Sequence, residues 1–339
     1  MPANDLSLLT TTAVNIQRDL KYLPYAVLAA VLGRLGYNLL PGIQNQDVIT
    51  NYLRKRGIAK PYAQGVVDDS EVGKAQPRIL SIELAYASVK DNIQNYKKTI
   101  VGPDQLLDKN KTKKHPWEVV MLTSIVRTFG EDIIDALFPA ERDIADKSPM
   151  GLFNGVDSLI DLDIASGNIS VANKNLITLG EIKMPTTETD SVAYDQLLAF
   201  WRKADPMLRN NQSIMSVPQD ILFAYQTACF NKFRFTPTMD AYNRVTLAGS
   251  GDKCKLVGES AMGTGQRIHL QGIGNVDFGM DTLGDEAFVQ VRNPYVDPND
   301  VQFWLQASYG VRIRSVHKKV FQINEGLPIA NSLSGDYVS

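Results

Sequence analysis

VQVRNPYVDPNDVQFWLQASYGVRIRSVHKKVFQIN, from Val289 to Asn324, decides the fold class of this chain. It is built from several strand-like pieces rich in Val, Ile, Tyr, Phe and Trp, the residues that suit a pleated, half-buried surface. Asn293-Pro294 and Asp297-Pro298 are turn dipeptides, and Gly310 is expected to break the last long piece. The stretch holds almost no residue that does chemistry. The rest of the chain behaves in the same way, spending its residues on strands, one long helix and extended arms. That pattern predicts a building block rather than a catalyst.

Working outward, the chain has 339 residues, 44% of them apolar, and a formal net charge of −2. This is enough apolar material for a substantial core and excludes disorder throughout. A near-neutral balance excludes tight nucleic-acid binding driven by charge alone. Cys229 and Cys254 are the only cysteines, so there is no disulfide framework and a reducing compartment is expected. His115, His269 and His317 lie far apart and far from paired cysteines, so no zinc-ligand spacing exists, and no cofactor motif is found. The longest apolar run, Tyr22 to Leu32, contains Pro24 and is too short for a bilayer, which needs about 20 residues. It begins behind Arg18, Asp19 and Lys21, unlike a signal peptide, so no membrane partner is expected.

Residues 1–50 form an arm, with helical pieces punctuated by Pro24, Gly33, Gly36, Pro41 and Gly42. Its high apolar content means that it must lie on something, either its own domain or a neighbouring copy. From Asn51 onward the character changes: Arg54, Lys55, Arg56 and Lys60 precede Asp68, Asp69 and Glu71, and five Gly or Pro residues break any helix. A stretch of this length with no core of its own predicts a projecting loop. In ILSIELAYASVK, Leu80, Ile82, Leu84 and Tyr86 alternate with smaller or polar residues, as in one half-buried strand.

PWEVVMLTSIVRTFGEDIIDALF, residues 116–138, is the clearest helix. Val119, Leu122, Val126, Phe129, Ile133 and Leu137 form one stripe, Ser124, Arg127, Thr128, Glu131 and Asp135 the opposite face, and Pro139 the stop. GLFNGVDSLIDLDIASGNISVANKNLITLGEI then reads as a Gly-bracketed turn followed by short strands. Two more helices follow, one with Tyr194, Leu197, Leu198 and Trp201 inward. The other has Ile221, Leu222, Tyr225 and Cys229 inward and opens on a Ser216 to Gln219 capping-box spacing. Helices and strands mix without βαβ regularity, so the class is α+β.

The sharpest chemical candidate is Glu181-Ile182-Lys183 at a strand end, with Asp161 and Asp163 upstream. Metal-dependent nucleases hold a cation between an Asp and such a Glu, with the Lys stabilising the attacking water or the phosphate. E-x-K is a common tripeptide, no helix carries a matching supporting set, and solvated strand-end charges are the better explanation. Gly258-Glu259-Ser260-Ala261-Met262 lacks the last glycine of a nucleophile elbow, and neither Gly249-Ser250-Gly251 nor Gly263-Thr264-Gly265 matches a phosphate loop.

Taken in order, the segments resemble the tailed-phage major capsid proteins of the Hong Kong 97 type, in particular those of Bacteroidetes-type phages and prophages. Residues 116–138 resemble the spine helix, and GLFNGVDSLID the segment after it. RNNQSIMSVPQDILFAYQTACF resembles the central strand and helix of the axial domain, and NPYVDPNDVQFWLQASYGVRIRS the returning strands of the peripheral domain. The likeness runs from about Tyr22 to Asn324. It implies an N-terminal arm at 1–50, an extended loop at 51–105, a peripheral domain at 106–165 and an axial domain at 166–285. Returning strands and a tail would then occupy 286–339. It implies no enzyme, but a shell subunit forming hexamers and pentamers of an icosahedral phage head around double-stranded DNA, without sequence-specific binding. Assembly in the bacterial host cytoplasm and residence in the virion follow, with portal and decoration proteins as partners. The chain starts almost at the arm, so scaffolding is expected from a separate protein, and no cross-linking Lys–Asn pair is placed. Expected subunit-interface residues are Tyr22, Tyr25, Leu28, Arg54, Lys55, Arg56, Lys60, Asp68 and Asp69. The alternatives are an encapsulin-like nanocompartment shell and the Glu181/Lys183 nuclease.

Overall fold

A computed structural model describes residues 28–54, 73–92, 117–281, 289–292 and 300–326. Residues 28–35 are helical and end at Gly36, whose positive φ closes the turn before β1 (Asn38–Pro41). A hairpin follows, β2 (Gln46–Arg54) with β3 (Gly73–Ser81), then β4 (Glu83–Asn92) and the long helix α1 (Trp117–Ala136). A 3₁₀ turn (Pro149–Gly151) leads into α2 (Val156–Ala165) and the short β5 (Leu176–Ile177). Next come α3 (Val192–Lys203), α4 (Pro206–Asn210), β6 (Ser213–Pro218), α5 (Gln219–Phe233), β7 (Val245–Thr246) and β8 (Cys254–Glu259). The last strands are β9 (His269–Gly272), β10 (Val276–Met280), β11 (Val289–Arg292), β12 (Asp300–Ile313) and β13 (Phe321–Asn324).

Two cores result. In the first, β12 carries a five-stranded sheet: β4 pairs along one side of it, β11 and β10 along the other, and β1 runs parallel to β10. Its period-two pattern turns Val301, Phe303, Leu305, Ala307, Tyr309 and Val311 inward. Those residues meet the stripe of α1 (Leu122, Val126, Phe129, Ile133), with the Phe129 and Tyr309 rings 6.3 Å apart. Ser124, Arg127, Thr128 and Glu131 face out as the spacing predicts, and Asp135 is half-buried. In the second core a six-stranded sheet, ordered β5-β13-β9-β6-β8-β7, packs on α3 and α5. There Tyr194, Leu197, Leu198, Trp201, Ile221, Leu222, Tyr225 and Cys229 are all buried. The chain changes sheets at Gly274, between β9 and β10.

Four expectations from the sequence are corrected. Gly310 does not break β12; it pairs with Gly279 in mid-strand, and a Cβ there would run into the Ser81 carbonyl, so the glycine is where β3 crosses the sheet. ILSIELAYASVK is two strands: Leu80 and Ala85 are buried while Leu84 and Tyr86 are exposed, because the break at Ile82 shifts the side-chain phase by one. In the stretch after the Gly-bracketed turn, Val156–Ala165 is α2 rather than strand, and the short strand β5 comes later, at Leu176–Ile177. Its buried Val156, Ile160 and Asp163 follow helical spacing, whereas the alternating Leu162 and Ile164 that resemble a strand face solvent. Ser216 caps no helix: it belongs to β6, and Pro218 is the N-cap of α5 with no side-chain bond. Among the described residues, no helix is long and apolar enough to cross a membrane.

Candidate functional site

The hairpin β2–β3 is a separate two-stranded sheet, in register from Gln46↔Ser81 to Arg54↔Gly73. Two strands alone are marginal in water. Val48 and Ile79, paired across it, are each 54% exposed, so it carries apolar area that the described residues do not cover. Leu80 of β3 is fully buried against β10, and the rest of what fixes the hairpin to the body is polar. Arg312 on β12, its side chain 1% exposed, donates from Nη2 to Asp277 at 2.6 Å and to Asp47 at 2.9 Å. It also donates from Nη1 to the Asp47 carbonyl. Asp277, wholly buried on β10, further accepts from Arg314 Nε at 2.7 Å and Asn38 Nδ2 at 3.1 Å. Asn51 donates to the Arg314 carbonyl. On the other strand Arg78 grips both oxygens of Asp163 on α2, at 2.9 and 2.7 Å, and Gln76 reaches Asn168. Glu83, just past the hairpin, pairs with Arg142 at 3.3 Å.

These anchors set the direction of the hairpin. A buried cation tolerates only a geometry in which its hydrogen bonds and counter-charges are kept, so Arg312 and Asp277 permit one pose where apolar contact alone would permit many. Sequence reasoning missed Asp47, Asp163 as an anchor, Asp277 and Arg312. The available signal was an ionisable residue between inward apolar neighbours, as in Val276-Asp277-Phe278.

Two further surfaces leave large side chains uncovered. On the outer face of β4 and β12, Tyr86 stacks on Trp304 with ring centres 5.4 Å apart, beside exposed Leu84. On α5, Phe223 and Phe230 lie seven residues apart on one outward face, followed by exposed Phe233 and Phe235.

Of the expected interface residues, Arg54 ends β2. Tyr22, Tyr25, Lys55, Arg56, Lys60, Asp68 and Asp69 lie outside the described residues, as does His115. Leu28 is 3% exposed in the core of its own chain, one helical turn before Leu32, so its burial needs no neighbour.

The nuclease constellation is not assembled. Glu181 and Lys183 pair with each other at 2.9 Å in an exposed segment that is not a strand, so their alternation sets no common face. Asp161 is held by Arg267 and Asp163 by Arg78. Among the described residues no cluster of three or more His, Cys, Asp or Glu side chains could hold a metal. Ser216, His269 and Asp157 do converge, at the junction of the cores: Ser216 and His269 are register partners, and His269 Nε2 lies 2.9 Å from Asp157. All three are buried, and Asp157 is shared with Arg267 at 3.6 Å, so the group welds α2 to β9 and offers a substrate no access. Beside it Glu259, at the end of β8, is 2% exposed and pairs with Arg34 at 2.6 Å. Burial pushes its carboxyl up to about 7, and Arg34 opposes that rise only in part.

No family model and no curated protein sequence matches this chain. Solved structures do. The satellite phage P4 procapsid including the size determination (Sid) protein gives a TM-score of 0.54 at 10% identity, over 93% of this chain and 90% of that one. The capsid of an empty GTA particle gives 0.53 at 12% identity, over 88% and 96%. The capsid of a native GTA particle gives 0.52 at 13%, over 89% and 97%. At such identities the likeness is one of fold and spans nearly the whole of each chain: two cores, a long helix between strands and a hairpin standing off the body make this the Hong Kong 97-like capsid fold.

Proposed function

We propose that this chain is a major capsid protein whose copies close into an icosahedral head. The observation that carries this reading is the β2–β3 hairpin. It is anchored at its base by buried charge yet bears half-exposed Val48 and Ile79 that the described residues leave uncovered. A projecting element held rigid but left uncovered is what a lapping contact between copies requires. A standard stable interface buries about 1,600 Å² in total. Many such contacts around a closed shell become effectively permanent through multivalency, and closed symmetry limits growth.

In the finer reading, residues 1–50 are the arm and 51–105 the extended loop. Residues 106–165 are the peripheral domain, 166–285 the axial domain, and 286–339 the returning strands and tail. Arm and loop lie on neighbouring subunits, with Tyr22, Tyr25, Arg54, Lys55, Arg56, Lys60, Asp68 and Asp69 in those contacts. Hexamers and pentamers enclose double-stranded DNA, with a separate scaffolding protein, a portal and decoration proteins as partners. Assembly takes place in the cytoplasm of a bacterial host of Bacteroidetes type. The test is to express the chain in bacteria, alone and with the scaffolding candidate encoded beside it, and image the product. Closed shells with rings of five and six support the reading; a product that stays monomeric under every assembly condition overturns it.

A further inference from the structure

We propose that Glu259 is a proton-operated lock on the stem formed by residues 28–37: with the carboxyl neutral the stem stays docked, and its ionisation loosens the stem. This concerns the single chain and holds whether or not copies assemble. The stem docks through Leu28, Leu32 and Leu35, which share a core with Val257, Ala261 and Met262, the residues flanking Glu259. Gly36, at positive φ, is its turning point. Arg244 holds the main chain by donating to the carbonyls of Gly33 and Arg34, and Gln271 Nε2 donates to that of Leu35. Beneath this lies a polar node. Glu259 is paired with Arg34 from the stem; the Tyr37 phenol is buried within electrostatic reach of both Glu259 and Asp157, and Asp157 belongs to the His269–Asp157–Arg267 group. Glu259 Oε1, Arg34 Nε, His269 Nδ1 and Ser216 Oγ are buried without a hydrogen-bond partner. One ion pair therefore carries a buried charge whose other oxygen has no hydrogen-bond partner, and the cation of that pair comes from the stem.

The direction follows from linkage. A carboxyl raised to about 7 in the docked state binds its proton more tightly there than in a lifted, hydrated state, where its ordinary value is 4.5. Docking is therefore fully favoured at low pH and loses ground as pH rises through 7. Arg34 softens this loss without cancelling it. The opening equilibrium of the stem is expected to rise on the order of tenfold between pH 6 and pH 8.

The experiment is hydrogen exchange by mass spectrometry on the full chain at pH 6, 7 and 8, corrected for intrinsic rates and read over residues 28–37. Wild type should show the roughly tenfold rise. Glu259→Gln should stay protected and flat. Arg34→Gln, which leaves the carboxyl without its cation, should steepen the response toward roughly a hundredfold, and it keeps the test decisive if Glu259→Gln fails to fold. A flat wild-type profile overturns the proposal. So does a Glu259→Gln profile as steep as wild type, which would assign the titration to the His269–Asp157 pair, or an Arg34→Gln profile no steeper than wild type.

Discussion

Replacing Asp277 by alanine strips a fully buried cation of its main counter-charge. Arg312 would keep only Asp47, whose side chain is 45% exposed and lies on the hairpin, while Arg314 and Asn38 would each lose an acceptor. Breaking a buried pair from one side costs about 3–5 kcal/mol, because the remaining charge stays desolvated. Four hydrogen bonds to the carboxylate are lost, three of them donated by arginine. At about 1.5–3 kcal/mol for a bond to a charged group, before solvent recovers part of it, the upper half of that range applies. We therefore expect about 4 kcal/mol, a large share of the roughly 5–15 kcal/mol that holds a domain together. Urea unfolding followed by tryptophan fluorescence reads it as a lowered midpoint at unchanged slope. Arg142→Ala, at the partly exposed pair with Glu83, is the control and should cost less than about 1 kcal/mol. Asp47→Ala should leave the global midpoint nearly in place but speed amide exchange in 46–51 and 76–81, since it frees the hairpin and not the core. If Asp277→Ala costs no more than the Arg142 control, the network does not hold the hairpin and the reasoning fails.

Gly310→Ala places a Cβ against the Ser81 carbonyl, which is backbone and cannot swing aside; a loss of about 1–3 kcal/mol in the same urea assay is expected, and a neutral result would show that β3 does not cross β12 closely. Asp132 on α1 has its carboxyl pushed up to about 6, by burial first and then by Asp135 and Glu131. Its contribution is thus complete below about pH 4 and lost as pH rises through 6, so Asp132→Asn should raise the melting temperature at pH 8 and leave it unchanged at pH 4. Equal shifts at both pH values would refute that origin. Deleting Arg54 to Pro77 removes the outer half of the hairpin and should leave the main unfolding transition of the body intact while abolishing closed particles by electron microscopy. Particles that still form would remove the role given to the loop.

Much of the fold was legible because it rests on periodicity. The α1 stripe from Leu122 to Ile133 and the inward faces of α3 and α5 follow from spacing and apolarity alone, since a helix exposed on one side has few other arrangements. What stayed hidden shares a different cause. Val156-Asp157-Ser158-Leu159-Ile160-Asp161-Leu162-Asp163-Ile164 alternates well enough to pass for a strand, and its aspartates look like surface. Only the tertiary partners Arg78, Arg267 and His269 explain why Asp157 and Asp163 are buried on a helix. Glu181 and Lys183 illustrate the converse, a promising tripeptide that the fold leaves in solvent, paired with itself.

By itself, the sequence determined the class and the long amphipathic rod. These are local properties, fixed by side-chain period, turn chemistry and composition. Only the tertiary structure decided where the β2–β3 hairpin is clamped and which charges are buried. Asp277 and Arg312 are 35 residues apart in sequence, Arg78 and Asp163 85, and Arg34 and Glu259 225. The free energy of an ionised side chain depends on what surrounds it in space, which no local pattern records.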